Sequence, residues 1–346
     1  MASEIVSNPE IEIQVSRSRL GRLLGVQAVG IGSAVPATIV RNEDLSALGY
    51  DADWIVQRTG ILQRRHAEPD VATSDLAVEA ARRCIEHADV DPREIDLVVL
   101  GTTTPDQLMP ATASLVQDRL GLCALAMDMQ AACSSFIYAM ITGMQYVATG
   151  CSRLALVIGA DCNSRIVNPA DKRTYPLFGD GAGAMLLSAG SEDQGLLSYA
   201  VGSDGSGCSL LCRPVGGSRM PFAAADDGNA RHYMEMEGRP IFKWAIRMLR
   251  ETVYETLQAA DMTLDQVDLV IFHQANMRII GAAVKDLGIH PEKVFNNLDR
   301  YGNTASASIP LALDEAFRQG RIERGDRLLL SGFGGGLSWG TTLMRW

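Results

Sequence analysis

Cys133 stands where a short apolar strand, Leu125 to Met129, passes through Ala131 and Ala132 into a helix opening around Ser134. A cysteine at such a junction faces the unpaired N–H groups and positive dipole end of the helix, which lowers its pKa and enriches the thiolate. Cys133 is therefore the candidate nucleophile, although alone it reads equally well as a buried cysteine that follows a strand. Far downstream, His273 ends the apolar strand Leu269–Phe272 and Asn303 lies in Tyr301-Gly-Asn-Thr. Singly, these two read as a structural hydrogen-bonder and as a turn or N-cap residue. In one cleft with Cys133 they make a different device: a thiolate that takes an acyl group as a thioester, and donors that hold a developing oxyanion.

An internal repeat is the reason to bring them together. The stretch Ala88-Asp-Val-Asp-Pro-Arg-Glu-Ile95-Asp-Leu-Val-Val-Leu returns as Ala260-Asp-Met-Thr-Leu-Asp-Gln-Val267-Asp-Leu-Val-Ile-Phe, an offset of 172 (267 − 95). The strand and turn at Cys133 match those at Asn303 (303 − 133 = 170), and the strand from Arg153 matches the strand from Arg327 (327 − 153 = 174). A common spacing in three features predicts a duplicated unit. We expect two α/β halves, 23–190 and 191–346, packed about a pseudo-twofold axis that makes equivalent strand ends meet. Apolar runs such as Val98–Leu100, Leu154–Ile158, Leu269–Phe272 and Leu328–Leu330 alternate with helical stretches, which predicts sheets covered on both faces. A strand is expected over Gly25–Ile31 and a helix over residues 74–88, with Thr73, Ser74 and Asp75 as cap candidates. Residues 1–22 are polar without a period and read as a loosely held extension.

Composition excludes several classes. With 346 residues, 47% hydrophobic and 21% charged, the chain reads as a soluble globular protein with a sizeable core. No run approaches the roughly 18 apolar residues of a membrane span, and the N-terminus has no apolar leader segment, so a cytoplasmic protein without a membrane partner is expected. A net charge of −10 argues against a nucleic-acid partner. The seven cysteines are odd in number and scattered, which predicts neither disulfides nor a metal site. Phe178-Gly-Asp-Gly-Ala-Gly183 and Gly332-Phe-Gly-Gly-Gly336 fit neither phosphate-binding spacing. The first reads as packing glycines; the second follows a strand and lets a backbone N–H approach a substrate closely.

Taken together, Ala132-Cys133, Phe272-His-Gln-Ala-Asn-Met-Arg278, Arg300-Tyr-Gly-Asn303, Phe178-Gly-Asp-Gly-Ala-Gly183, Trp54-Ile-Val-Gln-Arg58 and Phe333-Gly-Gly-Gly336 resemble β-ketoacyl-acyl carrier protein synthase III of the thiolase superfamily. The resemblance runs from about residue 23 to the C-terminus. It implies a five-layered αβαβα thiolase fold and a homodimer without a cofactor. The implied activity is decarboxylative condensation of an acyl-CoA primer, acetyl-CoA first, with malonyl-acyl carrier protein, initiating type II fatty acid synthesis. By the same resemblance Cys133 is the acylated nucleophile, His273 and Asn303 hold the malonyl thioester carbonyl, and the N–H groups of Cys133 and Gly335 form the oxyanion hole. Trp54, Arg58, Lys172 and Arg278 match a CoA site, and Lys243, Arg247, Arg278 and Lys285 match a landing surface for the carrier protein. By pattern alone Trp54 is a helix core residue, and Lys243, Arg247 and Arg250 are a solvated helix face. Met109 and Ser135 fall at the acyl pocket. Ser135 and Lys172 depart from the family's usual glycine and arginine, which leaves primer choice open.

Two other readings stand beside this one. The same fold serves acyltransferases of specialised metabolism, but His273 and Asn303 are superfluous where there is no enolate to hold. A silent scaffold subunit would lack the nucleophile, and a thiolase proper would carry a second cysteine near Phe333; neither describes this chain.

Overall fold

The apolar runs do form strands, and the strands form two sheets of five. The computed structural model describes residues 18–49, 51–222 and 230–346. The first part carries β1 (Arg19–Leu24), β2 (Val26–Ala34), β3 (Ile39–Arg41), α1 (Ala52–Thr59), β4 (Gln63–Arg65), α2 (Thr73–Ala88), β5 (Leu97–Gly101), α3 (Thr112–Arg119), β6 (Leu125–Met129), α4 (Ser135–Ala148), β7 (Leu154–Cys162) and β8 (Asp180–Ala189). The rest carries β9 (Gly195–Ser203), β10 (Leu211–Cys212), β11 (Glu235–Met236), α5 (Gly238–Ala259), β12 (Leu269–Phe272), α6 (Met277–Leu287), α7 (Leu298–Tyr301), α8 (Ser308–Arg318), β13 (Arg327–Gly334) and β14 (Ser338–Arg345). One sheet runs β2-β8-β7-β5-β6 and the other β1-β9-β14-β13-β12. β5 is parallel to β6 and β7, and β12 to β13.

Every residue of β5 and of β12 is buried, which requires cover on both faces of each sheet. Alternate side chains divide between two cores. Val99 and Val157 of one sheet and Ile271 and Leu330 of the other point inwards onto Phe136, Met140, Ile309 and Ala312 of α4 and α8, which lie between the sheets. Val98 and Leu156 point outwards onto α2 and α3, and Val270 and Leu329 onto α5 and α6. The order is helix, sheet, helix pair, sheet, helix: the five-layered αβαβα thiolase fold that the sequence led us to expect.

The repeat is visible in the backbone. Outside glycine, positive φ occurs among the described residues at Asp89, Ala132, Asp261 and Ala305, two pairs spaced by 172 and 173 (261 − 89, 305 − 132). Asp96 accepts the N–H of Arg153 at 3.0 Å, and its twin Asp268 accepts that of Arg327 at 2.8 Å. The register of β5 on β7 and of β12 on β13 turns the offset of 172 between β5 and β12 (269 − 97) into 173 between β7 and β13, pairing Ala155 with Leu328. This corrects one alignment. The twin of Cys133 is Ser306 (306 − 133 = 173), and Asn303 lies three residues before it. The partner of β6 in the second half shrinks to a bridge between Val270 and Val294.

The expected division at residue 23 falls inside β1, which pairs antiparallel with β9 of the second sheet. Residues 1–17 of the expected extension lie outside the described residues. α2 begins at Thr73; its N-cap is Ala72, whose N–H the Asp75 carboxylate accepts at 2.7 Å. Gly25, at φ +80, is a turn before β2. Among the described residues no cluster could hold a metal, and no helix is long and apolar enough to cross a membrane.

Candidate active site

Cys133 occupies a sharp turn between β6 and α4. Ala132 adopts φ +49, a conformation that L-residues enter at a cost of about 1 kcal/mol or more, and the neighbours hold it there. Ser135 Oγ accepts the N–H of Ala131 at 2.8 Å and donates to Ala132 O at 2.6 Å. Ser338 Oγ donates to Ala131 O at 2.7 Å. On the far side a Cβ added to Gly334 would stand 2.6 Å from Cys133 N, so only glycine leaves the approach to that amide clear.

The expected acidic thiol is not what this site makes. Burial, with the nearby Asp161 carboxylate second, pushes the Cys133 thiol from 9.0 up to about 12, a penalty of about 4 kcal/mol on the thiolate. A helix N-terminus returns about 0.3 to 2 kcal/mol. In the free protein desolvation wins and Cys133 rests as a thiol.

His273 follows β12 and is buried. Its Nδ1 lies 2.6 Å from Ser308 Oγ at the start of α8, while Nε2 is buried without a partner. Burial pulls the imidazole pKa down to about 3, so the ring is neutral through the whole working range. In the tautomer in which Ser308 donates to Nδ1, the proton resides on Nε2, the nitrogen that faces the cavity without a protein partner. Asn303 is held by backbone pairing: its N–H donates to Leu177 O at 2.8 Å, and Gly179 N donates to its carbonyl at 3.0 Å. This is what the Phe178–Gly183 glycines do. A Cβ on Gly179 would meet Tyr301 O at 2.2 Å. The Asn303 side-chain oxygen accepts Ala305 N–H at 2.9 Å, leaving its NH₂ as the end that can donate to a ligand.

A cavity of about 130 Å³ has Cys133, His273, Asn303, Phe333 and Gly335 in its wall. A second, of about 610 Å³, also opens on Cys133 and Gly335 and passes Thr103, Phe178, Leu211 and Met234. Cys133 from the first part of the chain and His273 and Asn303 from the second therefore line one cavity.

Around the smaller cavity, Asn276 in its wall donates from Nδ2 to Arg58 O at 3.2 Å, tying α1 to the start of α6. Trp54 on α1 is 46% exposed, so it is no core residue, and the Arg58 guanidinium lies 5.6 Å from its ring centre. Arg278, in the first turn of α6, lies 5.8 Å from the Phe242 ring centre. Lys172 Nζ reaches Gly49 O at 3.4 Å, which puts it near the approach to α1. Lys243 and Arg247 on α5 and Lys285 on α6 sit on helices packed against each other. Arg250 instead pairs with Asp286 at 3.6 Å.

The family description "3-Oxoacyl-[acyl-carrier-protein (ACP)] synthase III" matches residues 127–205 and its C-terminal counterpart matches residues 257–346. A beta-ketoacyl-[acyl-carrier-protein] synthase III from Rhodopirellula baltica is 55% identical over 345 residues, covering 94% of this chain and 100% of that protein. The chain belongs to the 3-oxoacyl-[acyl-carrier-protein] synthase III family. A relative so named from Desulfitobacterium hafniense is 48% identical, with 94% and 98% covered. Among solved structures, the family member from Thermus thermophilus matches with a TM-score of 0.87 and 40% identity over 93% of this chain and 99% of that one. The member from Aquifex aeolicus gives 0.84 and 39% over 93% and 100%.

Two expected family positions are not where the sequence placed them. Ser135 is fully buried with its hydroxyl spent on the turn, against Gly101, whose added Cβ would lie 2.9 Å from the Ser135 Cβ. It builds the turn and does not line the acyl cavity. Met109 is 84% exposed and lies outside both cavities of its own chain. Sequence reasoning also missed two residues. Ser308 was findable as the twin of Ser135 (308 − 135 = 173). Asp161 was findable as a carboxylate closing the apolar strand Leu154–Ala160, a place where an acid is rarely tolerated without partners.

Proposed function

We propose that this chain is a β-ketoacyl-acyl carrier protein synthase III: an acyltransferase that condenses an acyl-CoA primer, acetyl-CoA first, with malonyl-acyl carrier protein. The observation that carries the reading is the shared cavity, in which a thiol meets a neutral imidazole and a carboxamide NH₂. Cys133 sulfur attacks the thioester carbonyl of acyl-CoA. The Cys133 and Gly335 N–H groups receive the oxyanion, the bond to CoA sulfur breaks, and the thiol proton leaves with CoA. Malonyl-acyl carrier protein then enters and loses CO₂, and the electron pair of the breaking bond becomes an enolate. His273 Nε2–H and Asn303 Nδ2–H stabilise that charge. An imidazolium would be a stronger donor but also an acid able to quench the carbanion; a pKa of about 3 removes that risk. The carbanion attacks acyl-Cys133 and the sulfur departs as a thiolate that takes up a proton from solvent, restoring the thiol and leaving β-ketoacyl-acyl carrier protein.

The surroundings support the same reading. Exposed Trp54 over Arg58, with Lys172 and Arg278 nearby, offers a stacking surface and cations for the adenine and phosphates of CoA. Lys243, Arg247, Arg278 and Lys285 give an acidic carrier a local cationic landing on a chain of net charge −10. A homodimer fits the unpaired outer edge of β6 together with Leu108, 77% exposed, and Met109. A chain-length role for Met109 then requires a second copy to carry it to the cavity. We place the enzyme in the cytoplasm, with no cofactor.

The test is incubation with a panel of labelled acyl-CoAs, mapping of the acylated residue, and assay of carbon–carbon bond formation with malonyl-acyl carrier protein. Label on Cys133 and a β-ketoacyl product are expected, and the panel identifies the primer. Label elsewhere, or acyl transfer without loss of CO₂, overturns the proposal.

A further inference from the structure

The twofold repeat exposes a residue whose work the two-stage reaction proposed above does not yet include. Asp161, at the end of β7, is fully buried. Its Oδ1 accepts Thr103 N at 2.7 Å, Thr104 N at 3.1 Å and the hydroxyls of Thr102, Thr103 and Thr104 at 3.2, 2.8 and 3.0 Å. Its Oδ2 accepts Ser306 N at 2.8 Å. The carboxylate thus joins the loop after β5, in one half, to the turn that carries Asn303, in the other.

The twin positions explain why. Moving 173 residues on, Asp161 becomes Gly334 (334 − 161) and Ser306 is the twin of Cys133 (306 − 133). Asp161 holds the amide of Ser306, whereas Gly334 presents no side chain to the amide of Cys133, 2.6 Å from where its Cβ would be. One fold element therefore makes the same amide pocket twice. In the second half a resident carboxylate fills it, and in the first half glycine leaves it open for a substrate oxyanion.

We infer that Asp161 is a positioning residue for the decarboxylation stage: its carboxylate stands in the twin of the oxyanion hole and locks the 303–306 turn that aims the Asn303 NH₂. Asn303 and Ser306 are linked by a short step, since Asn303 Oδ1 accepts the N–H of Ala305, the residue before Ser306, at 2.9 Å; across the site Ser306 Oγ makes only a long bond of 3.3 Å to Ala132 O. Releasing the Ser306 amide frees the turn that carries Asn303. The turn around Cys133 keeps its own braces, from Ser135 and Ser338.

The test is Asp161→Asn in the full chain. With its oxygen kept toward the threonines, the new NH₂ faces Ser306 N–H, donor against donor. We expect decarboxylation of malonyl-acyl carrier protein to fall on the order of 10–100-fold, the loss of one charge-assisted bond to a buried amide. Acylation of Cys133 by acyl-CoA should not fall, and should rise modestly, because the Asp161 charge that helps to hold the Cys133 thiol up is removed. Hydrogen exchange should accelerate in peptides spanning 303–308 and not in those spanning 131–136. A parallel fall of both half-reactions, or unchanged exchange at 303–308, overturns the inference. Should wild-type enzyme itself fail to release CO₂, the reaction proposed above falls, and the exchange pattern still decides the positioning role. Thr102→Val covers the case in which Asp161→Asn does not fold, since it removes one hydroxyl from Oδ1 outside the cavity. It should slow decarboxylation about two- to threefold with acylation unchanged, and slower acylation instead counts against Asp161.

Discussion

Ser308 Oγ lies 2.6 Å from His273 Nδ1, and this pair is the twin of Ser135 packed against Gly101 (308 − 135 = 173; 273 − 101 = 172). The two halves build the same serine at the same helix start, but one strand end carries glycine and the other imidazole. Cys133 opposite Ser306, and Gly334 opposite Asp161, break the symmetry in the same manner. A duplicated fold thereby yields one reaction centre, in which each half leaves room for the side chain that the other supplies.

From that pairing, Ser308→Ala should weaken decarboxylation selectively. Without the hydroxyl, nothing fixes the tautomer that presents Nε2–H, and one buried ring nitrogen loses its partner. The cost is about 1–2 kcal/mol, or roughly five- to thirtyfold in CO₂ release, while labelling of Cys133 by acyl-CoA persists. Equal losses in the two assays contradict the tautomer role.

Replacing His273 or Asn303 with alanine should act more strongly in the same direction. Removing a preorganised donor to a developing oxyanion costs on the order of 10²–10³ in rate. Both variants should still accumulate acyl-Cys133, and Cys133→Ala should not. Condensation at the normal rate by His273→Ala would eliminate the enolate-stabilising role.

The sequence carried this arrangement unevenly. The strands were legible because β5, β7, β12 and β13 are continuous apolar runs, and the meeting of halves was legible because Asp96 and Asp268 begin matched strands. The 170-residue alignment of Cys133 with Asn303 missed by three, because the second half spends α7 and a positive-φ glycine, Gly302, on reaching the same helix start. Ser135 differs for a related reason: its hydroxyl is consumed by Ala131 and Ala132, a pairing set by the backbone of the turn and not by residue type. The thiol's acidity was misjudged because a dipole can be read from a strand-to-helix junction, whereas the depth of burial that outweighs it cannot.

That burial sets a prediction for reagent chemistry. A thiol held up to about 12 should alkylate slowly at pH 7 and about tenfold faster for each pH unit, with no plateau below about pH 10. The measurement is the pH dependence of iodoacetamide modification at Cys133 by mass spectrometry. A plateau near pH 7 would mean that the helix terminus dominates after all.

For the entrance, Trp54→Ala should separate the two substrates. The exposed indole over Arg58 offers a face for adenine, worth about 1–3 kcal/mol when stacked. We expect the KM for acyl-CoA to rise about five- to 150-fold, with decarboxylation of malonyl-acyl carrier protein unchanged. A KM that does not move removes Trp54 from the CoA site.

The neutral imidazole also leaves a mark on stability. In the unfolded chain His273 titrates near 6.5, and in the fold burial depresses it to about 3. Between those values the unfolded state binds the extra proton, so the group's contribution is intact above pH 6.5 and erodes as the pH falls toward 3. At pH 5 the loss is about 2 kcal/mol, and it reaches on the order of 4 kcal/mol near pH 3. Urea unfolding at pH 7 and pH 5 measures it directly. The wild type should lose about 2 kcal/mol more across that interval than His273→Gln, which fills similar volume and does not titrate. The same interval should leave decarboxylation free of any step near pH 6.5, because the folded ring never takes up a proton there. If both proteins lose stability in parallel, His273 is solvated enough to titrate normally, and the case for a neutral donor at the enolate goes with it.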